Sequence, residues 1–140
     1  MARLRFSGWA LVLLVLVPGV WAQAPVLAPG AIVNGASFRA AADPNGAITG
    51  GAIVAVFGLN LSSDLAVALS VPLSTALNNS SLVFTSGANT FQAPLYFVST
   101  QQVNAQAPFE LPVGTVTAKI VSGAQTTLNS NSPVQRIRAR

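Results

Sequence analysis

The chain contains no cysteine and no histidine. That removes thiol nucleophiles, the commonest general base and the usual transition-metal ligands. It also excludes a lipid-modified N-terminal cysteine, and any disulfide that an oxidising compartment would permit. Acids are almost as scarce: Asp43, Asp64 and Glu110 are the only ones, and they lie far apart in the sequence. A paired-carboxylate glycosidase needs two acids within about 5–10 Å of each other. Asp43 stands in a turn motif, and Glu110 stands between Pro108 and Pro112. Lys119 is the single lysine, and Val116, three residues before it, breaks any S-x-x-K pattern. There is no G-x-S-x-G and no Gly-Lys-Ser/Thr phosphate loop. The expectation is a protein that is not an enzyme and takes no cofactor and no metal. A small hydrolase or lyase of unknown type is the alternative.

Only 7% of the residues are charged, and the formal charge of +4 is concentrated at the two ends. Arg3 and Arg5 form a basic start, and Trp9 to Val17 (WALVLLVLV) is an unbroken apolar run ended by Pro18-Gly19. This is the pattern of a secretory signal peptide, residues 1–22, cut after Ala22 with Val20 and Ala22 before the cut. The run is about half of the roughly 20 residues that span a bilayer, so a retained anchor is the weaker reading and no stable membrane span is expected after cleavage. The localisation implied is secreted or cell-envelope. After cleavage five basic and three acidic side chains remain, a net +2, with Arg136, Arg138 and Arg140 at the tail. A nucleic-acid protein needs a basic stripe across its folded surface, so no nucleic-acid partner is expected. The tail reads as solubilising. About 118 residues remain for one domain that must stand on its core.

Along the remaining chain, Gln23 to Gly30 (QAPVLAPG) reads as a flexible leader over residues 23–30. Ala31 to Val33 is a short first strand, followed by an Asn34-Gly35 turn signal. Within Ala36 to Ala42, Phe38 is the only large apolar side chain and is expected to anchor that segment to the core. Asp43-Pro44-Asn45-Gly46 has the preferences of a type I turn; it lacks the further ligands and closing Glu of a calcium loop. Gly50 to Gly58 (GGAIVAVFG) is the clearest strand, with branched and aromatic residues between glycines. Leu65 to Val71 is a weaker strand. Leu82 to Thr85 and Thr90 to Val98 form a hairpin around Ser86 to Asn89. Thr115 to Val121 alternates, with Val116, Ala118 and Ile120 on one face. In Pro133 to Arg140, Ile137 and Ala139 would face inward and the arginines outward. Short strands with Gly, Pro and Asn between them mean an all-β sandwich or barrel.

The stretch from Ala93 to Gly114 carries the one feature that reads as a site. Gln102, Asn104 and Gln106 alternate with Val103, Ala105 and Ala107. In a strand this places three amides on one face and three apolar groups on the other. Pro108, without an N–H for a ladder, ends the strand. Gln102, Asn104 and Gln106 are the candidate binding face. The alternative is a solvated face, or amides bonding to neighbouring loops.

Three stretches, IVNGASF (Ile32 to Phe38), GAIVAVFGLNLS (Gly51 to Ser62) and APLYFVSTQQVNAQAPFELPVGTVTAKI (Ala93 to Ile120), together with VPLSTAL (Val71 to Leu77), resemble the uncharacterised C-terminal domain of exported Acidobacteria proteins, especially those of Solibacter. The G-x-N-L step after a strand and the late G-T-V-T-x-x-I are similar to IPT/TIG immunoglobulin-like domains. Thr100 and Gln101 stand where that domain usually has Pro-Gly. The resemblance implies an antiparallel Ig-like β-sandwich over residues 31–140, truncated at its C-terminus relative to the family pattern. It implies a secreted, non-catalytic module with a structural, adhesive or binding role, its partner a cell-surface glycan or another exported protein. A truncated, non-functional copy is the alternative.

If residues 1–22 are a cleaved signal, N-terminal sequencing of the exported protein begins at Gln23. An intact N-terminus on a membrane-bound product contradicts the reading.

Overall fold

The computed structural model describes residues 23–126 and the backbone of residues 136–139. The described residues form two antiparallel sheets of short strands, a β-sandwich, as the spacing of turn residues implies. The first sheet contains β1 (Val26–Asn34), β2 (Ile53–Leu59), β3 (Ala66–Val67), β6 (Leu95–Val98) and β7 (Gln102–Gln106), in the order β1-β2-β7-β6-β3. The second contains β4 (Ser80–Ser86), β5 (Asn89–Ala93), β8 (Gly114–Ser122) and β10 (Arg136–Ala139), in the order β10-β8-β4-β5, with the two-residue β9 (Gln125–Thr126) pairing β8.

The alternations in the sequence become the two faces of these strands. Val54 and Val56 of β2, Val103 and Ala105 of β7, and Leu95 and Val98 of β6 point inward. They meet Leu82 and Phe84 of β4 and Val116, Ala118 and Ile120 of β8. Each fully buried Val, Leu, Ile or Phe contributes about 1.5–3 kcal/mol relative to exposure. This burial stabilises the fold without any covalent cross-link.

Four expectations are corrected. The leader over residues 23–30 is not free: β1 begins at Val26, which pairs with Leu59, while Leu27 pairs with Gly58 and is buried. The register then slips before Ile32, where Pro29 has no N–H for a ladder and Gly30 has φ +71°. A Cβ at Gly58 would run into the Val26 carbonyl, so this glycine is what lets β1 approach. Phe38 does not anchor its loop. It has a positive φ of 54°, the residue is 70% exposed, and Ala41 and Ile48 enter the core instead. The left-handed turn, closed by Phe38 N–H donating to the Asn34 carbonyl at 2.8 Å, throws the ring outward.

The weak strand at Leu65 to Val71 shortens to Ala66–Val67, because Pro72 cannot donate to a ladder and the segment after Ala68 leaves the sheet. The return strand Thr90 to Val98 is two strands. Pro94 ends β5, and the chain crosses into the other sheet as β6, whose Leu95 N–H donates to the Ser74 carbonyl at 2.8 Å. The Ser86 to Asn89 hairpin and the Asp43 turn are as expected. Gly87 takes φ +59°, and the Asp43 carboxylate accepts from Asn45 N–H at 2.7 Å. Strand β10 lies at a sheet edge beside β8, as a final strand from Pro133 onward implies. The inward and outward placement expected for Ile137, Ala139 and the arginines lies outside the described residues.

Among the described residues Phe84 is the largest fully buried side chain. Phe84→Ala is expected to lower the unfolding free energy by about 3–5 kcal/mol, measured by urea denaturation. A loss under about 1 kcal/mol would show that the sheets do not pack through this ring.

Candidate functional site

Strand β7 is the third of five strands in the first sheet, paired with β2 on one side and β6 on the other. Because Val103 and Ala105 fill the core, Gln102, Asn104 and Gln106 stand together on the sheet's outer face, all half-buried. The structure thus brings the three candidate site residues into one row. Directly opposed residues in an antiparallel pair share a face. The register therefore sets Phe57 beside Gln102, Ala55 beside Asn104 and Ile53 beside Gln106. On the other flank Phe97 pairs with Asn104, and Val67 of β3 pairs with Phe97. The register slips between Leu95 and Phe97. With Leu95 and Val98 both buried, this bulge leaves Tyr96 and Phe97 together on the outer side.

The outer face is therefore an amide row between two apolar flanks, and none of these residues is charged. Gln102 Nε2 donates to Asn104 Oδ1 at 2.8 Å, and Gln106 Nε2 donates to the Gly51 carbonyl at 3.2 Å. Sequence reasoning allowed either a binding row or amides bonding to loops. Gln106 does bond to a loop, while Gln102 and Asn104 hold each other. The Asn104 amide group keeps its two N–H donors without a protein partner among the described residues.

Beyond β6 the segment after β3 stands off the sheet. Val67, Leu69, Val71, Tyr96 and Phe97 line a groove of about 580 Å³ there. A neighbouring groove of about 330 Å³ runs from Val71 and Pro72 past Tyr96 to Gln106. Leu69 is 97% exposed and Val71 91%. These partners of the amide row were not singled out in the sequence. The alternation of Ile53, Ala55, Phe57 and Leu59 was readable there, but which strand lies beside which was not.

The three acids are not brought together. Asp43 follows β1 at one edge of the sheet and contacts Arg39 at 3.8 Å. Asp64 precedes β3 at the opposite edge, its carboxylate accepting from Leu65 N–H at 2.7 Å. Glu110 lies in the turn after β7. Among the described residues no cluster of acids could hold a metal ion. Among the same residues, no helix is long and apolar enough to cross a membrane. No family model, curated protein or solved structure matches the chain.

The approach to β3 is held by Asn78. Its Nδ2 donates to Ser62 Oγ at 2.9 Å, to Ser63 Oγ at 3.2 Å and to the Asp64 carbonyl at 3.1 Å, with φ +47°. Asn78→Gly keeps that backbone unstrained and removes all three bonds. The expected loss is about 1 kcal/mol in urea titration. No change would mean that this side chain does not fix the segment.

Proposed function

We propose that the chain is an exported, non-catalytic module of Ig-like type that binds a neutral partner through the outer face of its first sheet. The partner is a cell-surface glycan or another exported protein. The observation that carries this reading is the uncharged outer face itself. There Gln102, Asn104 and Gln106 lie between Ile53 and Phe57 on one side and Phe97 and Val67 on the other. Ile53 is 53% exposed and Val67 51%, apolar surface that a lone module in water gains nothing by presenting. Amides fix orientation by giving and taking hydrogen bonds, and rings and branched side chains supply the desolvated contact. Neither requires a titrating group, which agrees with a chain that has no histidine and whose acids are spread over separate loops. The N-terminal Arg3, Arg5 and Trp9 to Val17 pattern supports export, and the resemblance to an exported Ig-like domain supports both.

The test is a pull-down of cell-wall glycans and exported proteins on the immobilised chain. Phe97→Ser, at a half-buried position outside the core, is expected to weaken capture at least about tenfold, the range for a central aromatic contact. Gln92→Ala, on an edge strand of the other sheet, is expected to leave capture unchanged. Full retention by Phe97→Ser moves the binding surface elsewhere.

A further inference from the structure

We infer that the free edge of β5 pairs with the same edge of a second copy of the chain, joining the second sheets of both copies into one. The inference goes beyond the binding reading above and uses neither the amide row nor Phe97.

An unpaired sheet edge offers its backbone N–H and C=O groups to any extended chain. Proteins guard such edges with bulges, prolines, charges or very short strands. Among the described residues, three of the four edges carry guards of this kind. Along β1 the register slips around Pro29 and Gly30, and the chain folds back over its far end. There Ala41 N–H donates to the Ile32 carbonyl at 2.7 Å, and Asn34 N–H donates to the Arg39 carbonyl at 3.0 Å. Strand β3 is two residues long, with Pro72 soon after it. Strand β10 has Arg136 and Arg138 among its four residues. Strand β5 has none of these devices. Its five residues include no charge and no proline, and its register with β4 is unbroken.

The hairpin fixes which groups of β5 point outward. Ser86 and Asn89 flank a two-residue turn, so they exchange both backbone hydrogen bonds. Bonded and non-bonded pairs then alternate along an antiparallel ladder. Asn89, Phe91 and Ala93 therefore bond to β4, and the N–H and C=O groups of Thr90 and Gln92 point away from it. Both residues are exposed, and those groups have no partner among the described residues.

This edge fits its own image. An antiparallel pairing centred on Phe91 sets Thr90 of each copy opposite Gln92 of the other, which gives four backbone hydrogen bonds. Phe91 then faces its image in a non-bonded pair, where Cα atoms lie about 4.5 Å apart and aromatic pairs stabilise a sheet. In one copy Phe91 is half-buried against the core, beside Phe84, which in turn lies beside Ala118. The two rings thus continue the inner row of one copy into that of the other. Neither β4 nor β5 carries a charge, so the two edges do not repel. A foreign strand would satisfy the same backbone groups but would need a ring of its own opposite Phe91, which the copy supplies. A two-fold pairing also closes on itself. It uses up both bare edges and leaves β10, with its arginines, at each end of the joined sheet. A contact of this size belongs with weak, reversible ones.

The experiment combines sedimentation velocity with hydrogen exchange at residue resolution. It uses the full chain as isolated from expressing cells, from about 10 µM to about 1 mM, the range in which weak dimers populate. The wild type is expected to shift reversibly from monomer to dimer. Over the same range exchange at Thr90 and Gln92 N–H should slow at least about twofold, the effect of pairing half of the chains. Leu69 N–H, which also has no partner among the described residues, should not slow. Gln92→Pro removes an outward N–H and leaves every bond to β4, a place where edge strands tolerate proline. With unchanged circular dichroism, it is expected to weaken the dimer at least about tenfold, because two backbone bonds per dimer are lost. Phe97→Ser is expected to dimerise as the wild type does. A wild type that stays monomeric throughout overturns the inference, as does a natively folded Gln92→Pro variant that associates normally. A monomer that instead binds an extended segment of another protein, released by Gln92→Pro, makes the edge a peptide site and also overturns it.

Discussion

The pleat of β7 is the constraint on which the rest depends. A strand sends alternate side chains to opposite faces, and a slip of one residue would exchange every one of them. In β7 such a slip would put three amides into a dry core and Val103 and Ala105 into water. Burying even one unpaired amide costs about 1–3 kcal/mol, so the register is fixed by the core alone. Its two neighbours, β2 and β6, take their register from it. Through them the same constraint decides which residues meet on the outer face.

Without disulfides the sandwich depends on close approach between strands and on filled space between sheets. The glycines show where approach matters. At Gly58 the β1 backbone passes so near that any side chain would strike the Val26 carbonyl, and at Gly51, with φ +80°, the ring of Phe109 occupies the place of a Cβ. Serine and asparagine side chains hold the loops that must leave the sheets. Asn34 accepts from the backbone N–H of Ala36 and Ser37 and donates to the Ala47 carbonyl, and Asn78 holds the approach to β3. The result is an inner layer that is almost wholly aliphatic and an outer first sheet that is uncharged but only partly polar.

Much of this was legible in the sequence because it is local. The period of two in Gln102 to Gln106 and in Thr115 to Val121, the Ser86 to Asn89 hairpin and the Asp43 turn each rest on residues next to one another. What was not legible depends on partners distant in sequence. Pro94 is a small feature in an apolar run, but it moves the chain from one sheet to the other. Phe38 looked like a core residue by size alone; the left-handed backbone at that position decides otherwise. Residues 23 to 30 looked like a leader because they are rich in Pro and Ala, yet from Val26 onward β2 supplies a ladder that tolerates Pro29 and Gly30. The candidate amide row was visible, but its aromatic flanks were not, because only the pairing of β7 with β2 and β6 places Phe57 and Phe97 beside it.

The central claim is that β7 is the interior strand of the first sheet, its amides outward and its valine and alanine inward. Native-state hydrogen exchange at residue resolution tests it most directly. Backbone amides of Gln102 to Gln106, paired on both sides, are predicted to exchange only through global unfolding and to be among the slowest in the chain. Those of β5, paired on one side only, are predicted to exchange faster through local opening. Exchange in β7 as fast as in β5 would contradict the account.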